Sequence, residues 1–345
     1  MSVSRRSLGS GSQAGVSPRV IGVVDIGTNS VKLVVGHASG GGVVTTHFSR
    51  ETTRLGAGLA GSGRISTRAA ARTARAVRRL IAAARAHGAH EVVAIGTFAF
   101  RSAENGRDVA RAIARVARTP VRVLSGKEEA TLALASVRAR LERPKRYVFV
   151  IDVGGGSVEF VVARGAAVRV ARSAPIGALR LTERHLHSDP IAPAEYLAMK
   201  REIDRTVARL FAGVASVSPG SVDLVASGGS ATTALAMLHG GPVRAPRGYT
   251  RVSLAGLRRL EDVCARSTLA QRKRLRGLPS DRADIIPAGL AVIISFVRRA
   301  RKRSLIVSDG GVREGVILSH SKSSSRSPRR NAARDRSTRA GRRDR

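Results

Sequence analysis

Asp152 and Glu159 bracket the run Gly154, Gly155, Gly156, Ser157, and apolar residues flank it on both sides (Tyr147 to Val162, YVFVIDVGGGSVEFVV). Apolar–turn–apolar over this length predicts two strands joined by a tight glycine turn. Glycines at a strand end carry no Cβ, so backbone N–H groups can close around an anion. Two carboxylates beside such a turn could hold a divalent cation against a bound phosphate. Near the N-terminus VVDIGTNSVKLVV matches VIDVGGGSVEFVV without a gap. Asp25 aligns with Asp152, Gly27 with Gly154 and Ser30 with Ser157, while Thr28 and Asn29 replace two glycines. Lys32 stands where the second copy has Glu159, which places the metal with the second copy.

Two strand–turn–strand units predict a duplicated architecture whose turns face one another across a cleft. The other candidates sit on elements the pattern can place. Arg101 follows the apolar strand EVVAIGT, Glu91 to Thr97, at the end where α/β sheets place their ligands. Glu128 and Glu129 open a helix in SGKEEATLALASVRARL. Acidic residues there either complement the helix dipole, or one of the pair is a general base aimed into the cleft. Gly228, Gly229 and Ser230 follow the strand SVDLVA and open another helix, which aims N–H groups at an anion or nucleotide. Helices are also predicted over Thr67 to Gly88 with Thr67 as N-cap, Asp108 to Arg118, Pro193 to Ala212, Ser253 to Arg276, and from near Pro287. The charged stretch Arg138 to Arg146, which holds Pro144, is expected to connect two domains.

The chain has 345 residues, 43% hydrophobic but only 3% aromatic and without Trp, so its cores are aliphatic. Its formal net charge of +37 implies polyanionic company: nucleic acid, polyphosphate, nucleotides or an anionic surface. A single cysteine, Cys264, excludes internal disulfides and CxxC metal sites and fits a cytoplasmic location. No apolar run approaches the ~18 residues of a membrane span, so no membrane role is expected. Residues 1–18 read as a disordered leader, and 320–345, with ten Lys or Arg against two Asp, as a disordered basic tail that could bind nucleic acid.

The segments VVDIGTNSVKLVV, RLGAGL, GTFAFRSAEN, SGKEEA, VIDVGGGSVEF, PIGALRLTE, ASGGSATT, RADIIPAG and SDGGVREG together resemble the exopolyphosphatase / guanosine-pentaphosphatase family, in family order over roughly residues 20–318. The resemblance implies an α/β fold of two duplicated actin-like (ribonuclease H-like) domains, 19–135 and 136–319, with the substrate cleft between them and the last helix packing back on the first. It implies that Glu129 is the base that activates water and Arg101 the phosphate-clamping arginine. Asp152 and Glu159 match carboxylates near magnesium. Gly154, Gly155, Gly156 and Ser157 match one phosphate cradle; Asp25, Gly27, Thr28, Asn29 and Ser30 match the facing turn; and Gly228, Gly229 and Ser230 match a third. The implied activity is magnesium-dependent release of orthophosphate from the ends of inorganic polyphosphate. The alternatives are 5′-phosphohydrolysis of guanosine pentaphosphate and a non-catalytic protein that binds polyphosphate, nucleotide or nucleic acid; a homodimer is compatible with each. The chain departs from the family in GTFAFR, whose two phenylalanines are expected to reshape the cleft near Arg101, and in its short, two-domain form.

Overall fold

The computed structural model describes residues 18–141, 143–214, 217–243 and 249–324. The expected leader up to residue 17 and the expected tail from 325 lie outside the described residues.

Strands β1 (Ile21–Ile26), β2 (Ser30–Ser39) and β3 (Gly42–Thr52) form an antiparallel meander. After a short α1 (Leu59–Ser62), helix α2 (Thr67–Ala86) returns the chain to β4 (Glu91–Gly96), parallel to β1. Helices α3 (Phe98–Ser102) and α4 (Gly106–Ala117) lead to β5 (Val121–Val123) and α5 (Gly126–Arg140). The pattern then repeats. A second meander, β6 (Tyr147–Val153), β7 (Val158–Arg164) and β8 (Ala167–Ala174), is followed by α6 (Ala178–His185) and α7 (Pro193–Leu210). Strand β9 (Val222–Ser227) lies parallel to β6 and runs into α8 (Gly229–His239). The rest is β10 (Tyr249–Ser253), α9 (Leu254–Arg266), α10 (Leu269–Arg272), α11 (Ile286–Arg299), β11 (Ser304–Ser308) and α12 (Val312–Ser324).

The strand orders are β3-β2-β1-β4-β5 and, read from its far edge, β8-β7-β6-β9-β11-β10. The second order is the first with one antiparallel edge strand added. The fold is therefore a pair of duplicated actin-like α/β units, as the resemblance implies. The duplication extends to single residues: Asp25 lies opposite Lys32 in β1–β2, and Asp152 opposite Glu159 in β6–β7. Residues directly opposed across two strands share a face of the sheet, so each pair presents both side chains to one side.

Helix α2 buries Ala74, Val77, Leu80, Ile81 and Ala84 under the first sheet, and its N-cap is Ser66, which accepts from the Ala69 N–H, one residue ahead of the expected Thr67. Two helices lie between the sheets. Helix α5 packs Ala130, Leu134 and Val137 on Val148, Val150 and Val161 of the second sheet. Helix α12 packs Val316 and Ile317 on Ile21, Val23 and Val34 of the first, and against α5.

Three sequence expectations are corrected. Ser253 to Arg276 is not one helix. Ser267 is extended and Thr268 starts α10 with a capping box to Gln271, a Thr-x-x-Gln signal present in the sequence. Strand β10 was not anticipated, because its side-chain pattern carries no alternation strong enough to announce an edge strand. Part of the expected connection Arg138 to Arg146 is the last turn of α5.

The two units are clasped at one side. Arg50 Nη2 meets Asp281 Oδ1 at 3.0 Å, and the Thr52 hydroxyl donates to the other oxygen of the same carboxylate. Arg54 ion-pairs with Asp284 at 2.7 Å. The Gly58 N–H donates to Glu183 Oε2 at 3.2 Å.

Candidate active site

The two meander turns close in the same way: the Gly27 N–H donates to Ser30 O at 3.1 Å, and the Gly154 N–H to Ser157 O at 3.0 Å. These two amides serve the turns themselves. The turn tips meet each other. A Cβ on Gly155 would sit 2.9 Å from Asn29 Cβ, and one on Gly156 would sit 2.6 Å from Thr28 Oγ1. Close approach of two backbones is what demands glycine here. The phenylalanines of GTFAFR divide their roles: Phe98 packs on Gly156, whereas Phe100 is buried in the first core. The third turn crosses behind. Gly228 has φ +89, and a Cβ there would lie 2.4 Å from Asp152 Oδ1; Gly229 lies against the Arg282 guanidinium and Ser230 against Gly289.

Glu159 is buried and its Oε1 accepts from Ser157 Oγ at 2.7 Å and Ser173 Oγ at 3.0 Å. These hydroxyls orient one oxygen and leave the other for a ligand. Burial, and then the Asp152 charge, push the Glu159 carboxyl up to about 7. Burial likewise raises Asp152, with the Lys32 ammonium opposing it. Asp25 is raised by burial in the same way. Among the described residues Asp25 Oδ1, Asn29 Oδ1 and Arg313 Nη1 are buried without a hydrogen-bond partner. Carboxylates that repel each other in a desolvated cleft, next to unsatisfied acceptors, fit a hydrated divalent cation. No group of three or more His, Cys, Asp or Glu side chains gathers around one point among the described residues. Magnesium does not require that, since it binds through one or two carboxylates, waters and substrate phosphate oxygens.

The two glutamates that open α5 separate cleanly. Glu128 completes a capping box: its carboxylate accepts from the Ser125 N–H at 2.8 Å, and Ser125 Oγ accepts from the Glu128 N–H. Those bonds hold its carboxyl below the usual range. Glu129, one position on, is 4% exposed and turns into the cleft. Its Oε2 lies 2.5 Å from Arg101 Nη1, and that nitrogen also donates to Leu124 O at 2.6 Å. Burial first, and the Glu159 charge second, push Glu129 up to about 9 against the pull of Arg101. A carboxyl in this environment holds its proton through neutral pH, and it becomes a base only once positive charge beside it offsets the Glu159 charge and the burial.

Sequence reasoning missed the cationic side of the cleft. Lys32, seen only as the residue replacing Glu159, lies in the field of Asp25, Asp152, Arg313 and Arg282, and burial followed by Arg313 lowers it to about 8. Arg282 is buried behind the third turn, 3.4 Å from Thr233 Oγ1, and burial lowers it to about 10. Glu314 accepts from the Gly311 N–H at 2.7 Å and so closes the SDGGVREG turn, where a Cβ on Gly311 would come 3.5 Å from Asp152 Oδ2. The alignment of the two copies contained the signal for Lys32. Arg282 and Arg313 reach the cleft only through tertiary packing.

A family model described as the Ppx/GppA phosphatase family matches residues 23–324. The chain is 30% identical over 301 residues to Exopolyphosphatase 1 of Mycobacterium tuberculosis, covering 86% of this chain and 87% of that one. It is 31% identical over 329 residues to Exopolyphosphatase 2 of the same organism, covering 87% and 98%. Among solved structures, the Aquifex aeolicus member of the Ppx/GppA protein family superposes with a TM-score of 0.73 at 25% identity, over 89% of this chain and 99% of the other.

Proposed function

The chain belongs to the Ppx/GppA phosphatase family, and on that basis we propose that it hydrolyses the terminal phosphoanhydride bond of inorganic polyphosphate and releases orthophosphate. The observation that carries the proposal is the Arg101–Glu129 pair at 2.5 Å, held beside the opposed carboxylates Asp152 and Glu159. The two duplicated units form the two walls of the cleft, α5 going with the second sheet and α12 with the first. Asp152 and Glu159 are the residues that would hold magnesium or another divalent cation, whose chemistry is to neutralise charge across phosphate oxygens.

Phosphoryl transfer asks the protein for positioning and electrostatics rather than covalent chemistry. Glu129, ionised once positive charge beside Glu159 has lowered its proton affinity, accepts a proton from a water molecule as the water oxygen bonds to the terminal phosphorus. The bridging P–O bond breaks, and the shortened chain leaves with the bridging oxygen. Arg101 holds both the base and the transferred phosphate. Lys32 and Arg313, each in the field of the other, would offset the charge of the remaining phosphates. The net charge of +37 favours a long polyanion over a nucleotide. The same groups could serve the 5′ end of guanosine pentaphosphate, and the assay must include it.

Phosphate release from long-chain polyphosphate and from guanosine pentaphosphate, with magnesium and with chelator, tests the proposal. Cation-dependent release, faster from polyphosphate, is expected. Faster release from the nucleotide would move the assignment to the alternative, and release from neither would favour the non-catalytic binding protein.

A further inference from the structure

The basic stretch after α5 takes no part in the cleft. Arg138, Lys145, Arg146, Arg164 and Arg169 line a surface cavity of about 660 Å³, and among the described residues no acidic side chain joins them. Their partners are neutral. Arg138 donates to the carbonyls of Ala166 and Gly165, Lys145 Nζ donates to Gly220 O at 2.6 Å, and Arg146 and Arg164 both lie over the Tyr147 ring. The acid close by, Asp223, is buried and takes the Lys145 backbone N–H at 2.8 Å. Like charges gathered in one concavity repel unless an anion neutralises them.

The chain also spends backbone regularity to aim one of these side chains. Val162 pairs with Val170 and Ala163 with Val168, so Arg169 is the extra residue of a β-bulge on edge strand β8. Bulges turn a side chain out of the ladder. Four residues further along β8, about 13 Å at strand rise, Ser173 Oγ donates to Glu159 in the cleft. Helix α5 makes the same link: Arg138 stands nine residues past Glu129, about 14 Å along the axis. One edge strand and one helix thus tie the cavity to the cleft.

We propose that this cavity is an exosite for the distal phosphates of a polyphosphate chain whose end lies in the cleft, an inference that rests on the polyphosphate reading above. Guanidinium forks match phosphate oxygens. A single-stranded nucleic acid gains much of its affinity by stacking on exposed aromatic rings, and the ring here, Tyr147, is already covered by two guanidiniums.

The test compares the wild type with Arg164→Ala/Arg169→Ala and Arg164→Lys/Arg169→Lys. Equilibrium binding of long-chain polyphosphate is measured against salt, together with phosphate release from long-chain polyphosphate and from tripolyphosphate. The alanine pair is expected to bind long chains about tenfold more weakly and to lose about one unit of salt slope per arginine. Its KM should rise for long chains and stay put for tripolyphosphate, and the lysine pair should recover most of the loss. Unchanged long-chain binding and slope in the alanine pair would overturn the exosite, as would an equal loss on both substrates. A larger loss of affinity for a DNA duplex than for polyphosphate would overturn it in favour of nucleic acid. Failure of the wild type to release phosphate from either substrate defeats the reading of the cleft instead, and the binding measurement still judges the cavity.

Discussion

Replacing Glu129 with Gln should remove activity and stabilise the fold, with the gain growing as pH rises. Glu129 sits at an ordinary 4.5 in the unfolded chain and is pushed to about 9 in the fold by burial and the Glu159 charge. Between those values the folded protein keeps a proton that the unfolded chain releases. Stability therefore falls as pH rises from about 4.5 to about 9. At about pH 7.5 that deficit is about 4 kcal/mol at one pKa unit per about 1.4 kcal/mol. Gln cannot ionise, so Glu129→Gln escapes the deficit. At roughly 2–4 °C per kcal/mol, its Tm should exceed the wild type's by on the order of 10 °C near pH 7.5, and match it near pH 4.5. A bound cation compensates the Asp152 and Glu159 charges and should shrink the difference. Loss of the base should lower kcat on polyphosphate by about 10²–10⁴-fold. Thermal melts of both proteins across pH 4.5–9 in chelator, beside phosphate-release assays, measure both effects. An unstabilised variant at pH 7.5, or one that keeps wild-type turnover, would refute the assignment of Glu129 as a strained buried base.

Two further outcomes follow from the same site. Magnesium should raise the Tm of the wild type, more at pH 8 than at pH 6, because Glu159 titrates near 7; Asp152→Asn should abolish most of that rise, as followed by melts with and without the ion. Gly228→Ala should cost about 1–3 kcal/mol and depress turnover with it, since the residue has φ +89 and its new Cβ would meet Asp152 Oδ1 and Val153 O; denaturant titration and kcat would show the two losses together.

The duplicated turns were legible because they are local: Asp, Gly and Ser recur at fixed spacing, and the strand register puts Asp25 against Lys32 as it puts Asp152 against Glu159. Residue type and position alone left Glu128 and Glu129 undecided, and only the family resemblance chose Glu129. Capping geometry separates them, and the Ser125-to-Glu128 spacing of a capping box was already present to be read. Arg282 and Arg313 were not legible as site residues. Each lies in a recognisable segment, but its reach into the cleft depends on how α11 and α12 dock, which no local pattern encodes. The basic stretch Arg138 to Arg146 read as a connection because charge and proline are all a linear pattern can register. Its concavity arises only when the β7–β8 turn folds against it.

The packing of α5 on the second sheet gives the cleft a polarity. Glu129 is fixed to the same body as Asp152 and Glu159, so three carboxylates form one plate. Arg101, Lys32 and, through α12, Arg313 belong to the opposite body, where Asp25 is set against Lys32 and Glu314 follows Arg313 on α12. Under the proposed function this asymmetry would favour a cation toward the carboxylates of the second unit and phosphate oxygens toward Arg101 and Lys32. Arg101 rests on Glu129, so a phosphate arriving as proposed would have to share the arginine with that carboxyl. Release of product would then be the reverse exchange, in which Arg101 gives up phosphate oxygens and returns to Glu129.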